Sequence, residues 1–491
     1  MNEPVALPPL PTVEAGPTVP LPASPAPPSW QGRLSVAAAP ASDSPVAAAR
    51  NACKLCAPLG ACVVFSGIEG AIPFLHGSQG CATYLRRYLI SHFREPVDIG
   101  SSSFSEEDTV FGGARNLQAG LANLASQYQP TAIGVATTCL AETIGEDVPR
   151  ILDAFTRGAT VPTPPLIHVS TPSFAGTHID GFHAAVRSVA ERFSAPATAH
   201  EGVNLFPGFV SPEDLRHLKE ILRSMGVAAT LLPDYSDTLD GRTWAEYQRI
   251  QPGGTSLASL AGLGGAMATF ELGRTLASRS DTAAAWLETK SKVPRIALGL
   301  PVGLRETDRF LAEIERVTGR TVPDEFEAER GRLADALVDG HKYLFGKRAA
   351  LFGDPDLVIG LASFLNEIGV QAVLAATGGK SGGRFEGALR EVVTDMDFTE
   401  LGVLEGADHA QIAERVGSLK PDILIGSSKG YPMARELDLP LLRVGFPIHD
   451  RIGGQRVLHL GYRGAQRLFD TLVNTLLERR QDDSEIGYSY L

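Results

Sequence analysis

Short aliphatic runs alternate with longer helical stretches through most of this 491-residue chain, and that rhythm restricts the fold more than any other feature. Candidate strands fall at residues 132–136, 166–169, 203–206, 228–232, 295–300, 348–352, 371–375, 423–426 and 441–444. Most are continuous β-branched or aliphatic runs, as strands covered on both faces require. Several run into Gly, Pro, Ser or Thr, where strand-end loops turn. The expected fold class is α/β, with parallel sheets and ligands gathered at the carboxyl ends of the strands. Boundaries near His200 and Gly346 give segments 46–200, 201–345 and 346–491, each large enough for a Rossmann-like parallel-sheet domain. Residues 1–45 hold all twelve prolines found in the first fifty positions and can build no core, so they read as a disordered leader or as an extended Pro/Ala-rich arm that orders by lying along a partner.

Charge narrows the partners. The net charge of −12 comes from acids spread along the chain, which argues against a nucleic-acid surface. The first residues carry Glu3 and prolines rather than a basic region and an apolar core, so no secretory signal is expected and the location reads as cytoplasmic. The longest charge-free apolar stretch, 255–270, is too short and glycine-broken to span a membrane and reads as buried loop and helix.

All five cysteines, Cys53, Cys56, Cys62, Cys81 and Cys139, fall in the first third of the chain. An odd count without a signal peptide points away from disulfides and toward reduced thiolates, with metal as one use for them. "CAPLGA", "GSQGC" and "TTCLAETIGED" each place a cysteine beside glycine or small hydroxyl residues at an element end. Glycine lets backbone approach an inorganic cluster closely. Beyond Cys81, Tyr84, Leu85, Tyr88, Leu89 and Phe93 follow helical spacing, which puts Cys81 at a helix amino end where a thiolate is stabilised. The Cys53–Cys56 pair would suit zinc, but its usual second pair is missing; iron–sulfur, zinc and plain buried cysteines all stay open on pattern alone.

Other motifs carry less. Asp335 and Asp339 share one helix face, where two carboxylates repel unless solvated or bridged by a cation. "TGGKSGG" has Leu374 where a P-loop needs glycine, so it reads as a flexible loop. "IGSSKG" reads as a strand-end turn. His76, His92, His168 and His178 suit packing or hydrogen bonding.

In order, "NACKLCAPLGA", "LHGSQGC", "HFREP", "VFGG", "TTCLAETIGED", "TPSFAGTHIDGF", "FPGF", "FGDPDLVIGLASFLNEIG", "IGSSKG" and "LLRVGFP" resemble the β-type, or K, subunit of nitrogenase component 1, from about Asn51 onward. The resemblance implies three Rossmann-like parallel-sheet domains behind the arm. It also implies that Cys56, Cys81 and Cys139 hold half of a P-cluster, with Ser173 as an oxygen ligand on oxidation. The other half would come from a homologous D-type (α) subunit in an α2β2 complex, which also carries the active-site iron–sulfur cofactor. Phe111 would lie where an ATP-dependent iron protein docks. Glu95, with the backbone near Arg94, would join Asp335 and Asp339 in a divalent-cation site between the two αβ halves. The arm would wrap the D-type subunit.

Retention of all three cysteines favours an electron-relaying subunit over an N-type cofactor-assembly scaffold. Cys53, Cys62 and the segment "RTWAEYQRIQPGGT" depart from the ordinary K pattern. They tilt the expectation toward a nitrogenase-like methylthio-alkane reductase cleaving carbon–sulfur bonds, with dinitrogen reduction as the alternative.

Overall fold

The computed structural model describes residues 51–159, 162–196, 198–394 and 398–486; the arm expected over residues 1–45 lies outside them. Thirteen strands among the described residues form three wholly parallel sheets. The first holds β1 (Ala71–His76), β2 (Gly100–Ser101), β3 (Ala132–Thr137) and β4 (Leu166–Val169), in the order β2-β1-β3-β4. The second holds β5 (Val203–Phe206), β6 (Ala229–Leu231), β7 (Thr269–Leu272) and β8 (Arg295–Leu298), ordered β6-β5-β7-β8. The third holds β9 (Arg348–Gly353), β10 (Gln371–Thr377), β11 (Gly402–Glu405), β12 (Ile423–Gly426) and β13 (Leu441–Arg443), ordered β11-β10-β9-β12-β13.

In each sheet the chain first moves one way from the opening strand and then crosses back to its other side. The resulting switch points, β1/β3, β5/β7 and β9/β12, leave a crevice at the carboxyl ends of the strands. The sheets share one large buried core that includes Leu75 from the first, Phe270 from the second and Leu351 from the third. Their opposite faces carry smaller cores, one around Phe74, Leu121 and Val135, the other around Phe352, Ile412 and Leu424. Adjacent residues such as Phe74 and Leu75 thus enter different cores, so both faces of a strand must be apolar.

Four strands escape the sequence pattern. β1 contains Pro73, which argues against a central strand, yet β2 pairs only with Phe74 and Leu75 and leaves Pro73 without a neighbour on that side. β7 contains a buried Glu271, tolerated because Arg295 reaches it at 2.6 Å. The stretch 255–270 is helix at Leu257–Ala261 and turn at Gly262–Gly265, as expected, but its end enters β7 rather than staying loop. β2 and the edge strand β11 are too short or too exposed to show an apolar run.

Candidate functional site: three cysteines at the strand ends

Three cysteines sit at the amino ends of three helices on one side of the first sheet. Cys56 is the N-cap of the Ala57–Ser66 helix, Cys81 is in the first turn of the Gln79–Phe93 helix after β1, and Cys139 opens the Cys139–Ile144 helix after β3. Cys81 and Cys139 therefore flank the β1/β3 switch point, where this fold leaves its ligand crevice. Helix amino ends carry unpaired N–H groups and a positive partial charge, both favourable to thiolate.

The framework behind Cys56 is rigid. A methyl group at Gly60 would lie 1.8 Å from the His178 carbonyl oxygen, and one at Gly181 would lie 1.9 Å from that of Ala57. The Ala57–Ser66 and His178–Phe193 helices thus touch backbone to backbone, and only glycine fits at the crossing. Leu55 N donates to His178 Nδ1 at 3.3 Å, while His178 N donates to the Leu55 carbonyl at 3.0 Å. With Nδ1 accepting, the ring proton sits on Nε2, which lies 3.0 Å from Asp354 Oδ1, though off the line of a hydrogen bond. Asp354 is the N-cap residue of the Pro355–Glu367 helix, yet its side chain caps nothing there and is spent on His178 instead.

Ser173, on the loop after β4, joins two of the cysteine segments. Its Oγ accepts from Ala57 N at 3.2 Å, and its own N–H donates to Cys139 Sγ at 3.2 Å. Behind Cys139, Thr138 N donates to the His76 carbonyl at 3.0 Å, fixing the ends of β1 and β3 together.

Cys56 and Cys81 are exposed and Cys139 is half-buried. Burial first, and then the neighbouring Cys56 and Cys139 thiols, push the Cys81 thiol above its ordinary range. Cys56 and Cys139 thus lie close enough to Cys81 to oppose its ionisation, a conflict that bound cationic metal removes. Among the described residues no three His, Cys, Asp or Glu side chains converge on a single metal position. A polynuclear centre, whose metals are spread over several ångströms, fits such a set. Two of the three thiols, those of Cys56 and Cys81, are accessible from outside the chain.

Cys53 and Cys62 stand apart. Burial, then Asp354, pushes the Cys53 thiol up to about 12, and it packs against the third sheet's outer core. Cys62 is fully buried within its helix, where burial alone raises its thiol. The C-x-x-C pair therefore diverges, which removes the geometric basis for a zinc site.

Phe111, at the end of the short Glu106–Phe111 helix, is 82 % exposed beside Val110. Glu95 is half-buried after the Gln79–Phe93 helix, where its Oε1 accepts from Gly241 N at 2.9 Å. Asp335 and Asp339 are exposed on the Asp324–Leu344 helix, and no metal-competent group among the described residues unites them with Glu95. The "TGGKSGG" stretch is a loop after β10, and "IGSSKG" is a strand-end turn whose Lys429 reaches the Ala52 carbonyl at 2.5 Å. Of the four histidines, His76 and His178 make paired contacts and His92 Nδ1 accepts from Ile448 N at 2.9 Å; His168 Nε2 is buried with no partner among the described residues. The supporting roles of Asp354 and Glu146 were not visible in the sequence, because each acts on a residue far away in the chain.

Residues 56–477 match the family model described as nitrogenase component 1 type oxidoreductase. The nitrogenase molybdenum-iron protein beta chain of Clostridium pasteurianum is 37 % identical over 87 % of this chain and 93 % of its own length. That of Azotobacter vinelandii is 36 % identical over 88 % and 85 %. A solved chain titled nitrogenase Cp1 at pH 6.5 superposes with a TM-score of 0.86 at 35 % identity, covering 91 % of this chain and 97 % of that one. A chain titled nitrogenase Cp1 at pH 5 shares the fold alone, with a TM-score of 0.66 at 16 % identity. The chain belongs to the nitrogenase component 1 family of oxidoreductases and is one of its β-type subunits.

Proposed function

We propose that this subunit holds half of a P-cluster through Cys56, Cys81 and Cys139 and relays electrons from an ATP-dependent iron protein toward a cofactor in a D-type (α) partner. The observation that carries the reading is the grouping of three neighbouring thiols, two of them exposed, at the β1/β3 crevice, with no mononuclear site found among the described residues. When bound, the cluster supplies reversible one-electron chemistry. The chain's own residues orient the thiolates at helix amino ends, donate the Ser173 N–H to Cys139 Sγ, and place the Ser173 hydroxyl beside them as an oxygen donor on oxidation. The exposed Cys56 and Cys81 suit a site shared with a homologous subunit in an α2β2 complex. Two different chains under the name nitrogenase Cp1 share this fold, which supports a partner of the same architecture.

The relatives' names favour dinitrogen as the substrate over the thioether suggested by the departures in sequence. The substrate pocket belongs to the partner on this reading. Phe111 serves as a contact for the iron protein, and Glu95 with Asp335 and Asp339 from the opposite αβ half bind a divalent cation. The location is cytoplasmic; among the described residues no helix is long and apolar enough to cross a membrane.

Anaerobic purification of the native complex, with iron and heterometal counted per αβ pair, tests the relay, and parallel assays of dinitrogen reduction and thioether cleavage with iron protein and ATP test the substrate. Cluster iron with dinitrogen turnover supports the reading. Thioether cleavage alone returns the chain to the carbon–sulfur reductases, and clusters without turnover make it an assembly scaffold.

A further inference from the structure

We infer that His76 and Glu146 form a positioning pair that ties the Phe111 helix to the loops carrying Cys81 and Cys139. The assignment of Phe111 to docking rests on the function proposed above; the connections themselves are geometric.

Glu146 lies just beyond the Cys139–Ile144 helix, and its two carboxylate oxygens act on different segments. Oε1 accepts from Gly113 N at 2.5 Å, and Oε2 lies 2.5 Å from His76 Nε2. Gly113 follows directly on the Phe111–Gly112 turn, where Gly112 has φ +93°, a conformation that few other residues adopt. His76 ends β1 and is fully buried, leading through Gly77 into the Cys81 helix. One carboxylate thus joins the docking helix, the Cys139 segment and the Cys81 segment.

A second path runs beside the first. Phe104 packs edge-on against the His76 ring at 4.8 Å, and its N–H donates to the Gly77 carbonyl at 2.9 Å. A methyl group on Gly113 would lie 2.1 Å from the Phe104 ring, so the ring is wedged between His76 and the end of the docking helix. Ser102 closes the network, with its Oγ 3.0 Å from His76 Nδ1 while accepting from Gly77 N at 2.8 Å.

Contrast with Glu142, one helical turn earlier, sharpens the assignment. Glu142 accepts from Ser170 Oγ at 2.6 Å and from Thr137 Oγ1, which braces the Cys139 helix toward the Ser173 loop. Glu146 braces the same helix toward the docking surface. A displacement of the Phe111 helix on docking therefore reaches the Cys139 and Cys81 backbones through partly buried carboxylate contacts that resist deformation.

The test uses the full complex with iron protein and ATP, and compares wild type with Glu146→Ala, His76→Ala and Glu146→Gln. Expected in the alanine variants are wild-type iron per αβ pair and unchanged cluster spectra, a lower turnover and a higher half-saturating iron-protein concentration, each by about ten-fold. Glu146→Gln, which retains an acceptor for Gly113 N and a polar partner for His76, should restore most of both. The inference is overturned if Glu146→Ala turns over and saturates as wild type does. Loss of iron in proportion to activity, with turnover per cluster and half-saturation unchanged, also overturns it, since the pair would then only hold the site together. Failure of the underlying function would appear in the wild type itself, as absence of cysteine-bound iron or of electron uptake from iron protein.

Discussion

The first and third sheets share one architecture and use their strand ends in opposite ways. At the β1/β3 switch point the strand ends carry an exposed Cys81 and a half-buried Cys139, with Cys56 and Ser173 alongside. At the β9/β12 switch point the crevice is filled by the chain itself. Lys429 Nζ reaches the Ala52 carbonyl, Asn51 Nδ2 donates to the Lys429 carbonyl at 3.1 Å, and a methyl group at Gly378 would lie 2.3 Å from the Cys53 carbonyl oxygen. Asp354, at the end of β9, meets the His178 that holds Leu55. One crevice is edged by the cysteines proposed to hold a cluster; the other receives the segment leading into Cys56 and fixes its position. The fold supplies the crevice, and the residues at its edge decide whether it serves ligand or scaffold.

The largest expected effect separates the two kinds of cysteine. Cys81→Ala should remove cluster iron and lower turnover more than about 100-fold while the far-UV spectrum stays native. Cys62→Ala, at a site enclosed by its own core, should cost about 1 kcal/mol of stability and leave iron content and turnover intact. Iron analysis and thermal melts of both variants decide it. Full activity in the Cys81 variant would remove the β1/β3 crevice from the function.

A smaller effect should follow from the closed crevice. Asp354→Ala leaves His178 without its acidic neighbour and loosens the Leu55 clamp. Loss of a buried polar partner costs about 1–3 kcal/mol, and if Cys56 holds metal as proposed, disturbance one layer behind it should lower activity about ten-fold. Asp354→Asn keeps a polar oxygen facing His178 and should recover much of both. If Asp354→Ala lowered stability without touching turnover, the third sheet would support the fold but not the cysteine site.

Helix crossings offer a still milder probe of the same contrast. Gly60→Ala drives a methyl group into the His178 carbonyl and should cost about 1–3 kcal/mol through overpacking. Gly145→Ala, at a positive-φ turn past the Cys139 helix with open space around it, should cost about 1 kcal/mol from backbone strain alone. Denaturant midpoints of the two variants measure the difference; equal values would mean that the Cys56 helix can move away from its neighbour.

The sequence revealed periodic and local features well. Continuous aliphatic runs located nine strands, and the helix after Cys81 was plain from its apolar spacing. What stayed hidden depended on distant residues. β1 was masked by Pro73, acceptable only because its neighbour is two residues long, and β7 by Glu271, acceptable only because Arg295 lies opposite. The three cysteines were conspicuous because few residue types bind metal so strongly. His178 read only as a packing or hydrogen-bonding histidine and Asp354 not at all, since an imidazole and a carboxylate so far apart in sequence have many uses, and only tertiary packing selects this pairing.

The smallest expected effect concerns carboxylates away from both crevices. If Asp335 and Asp339 are simply solvated, replacing both with Asn removes a repulsion worth about 0.2–0.5 kcal/mol and slightly stabilises the helix. If they close a cation site with Glu95 of the opposite αβ half, the same variant should weaken the tetramer, by about ten-fold in its dissociation constant, while leaving turnover per αβ pair unchanged. A chelator should weaken the wild-type tetramer in the same way and have no further effect on the variant. Sedimentation with and without chelator separates the cases, because a solvated pair gives a slightly stabler helix and an indifferent tetramer. Glu95 already accepts from Gly241 N, so a cation there would use its other oxygen, and Glu95→Gln should reproduce the variant's behaviour without altering the helix that carries the two aspartates.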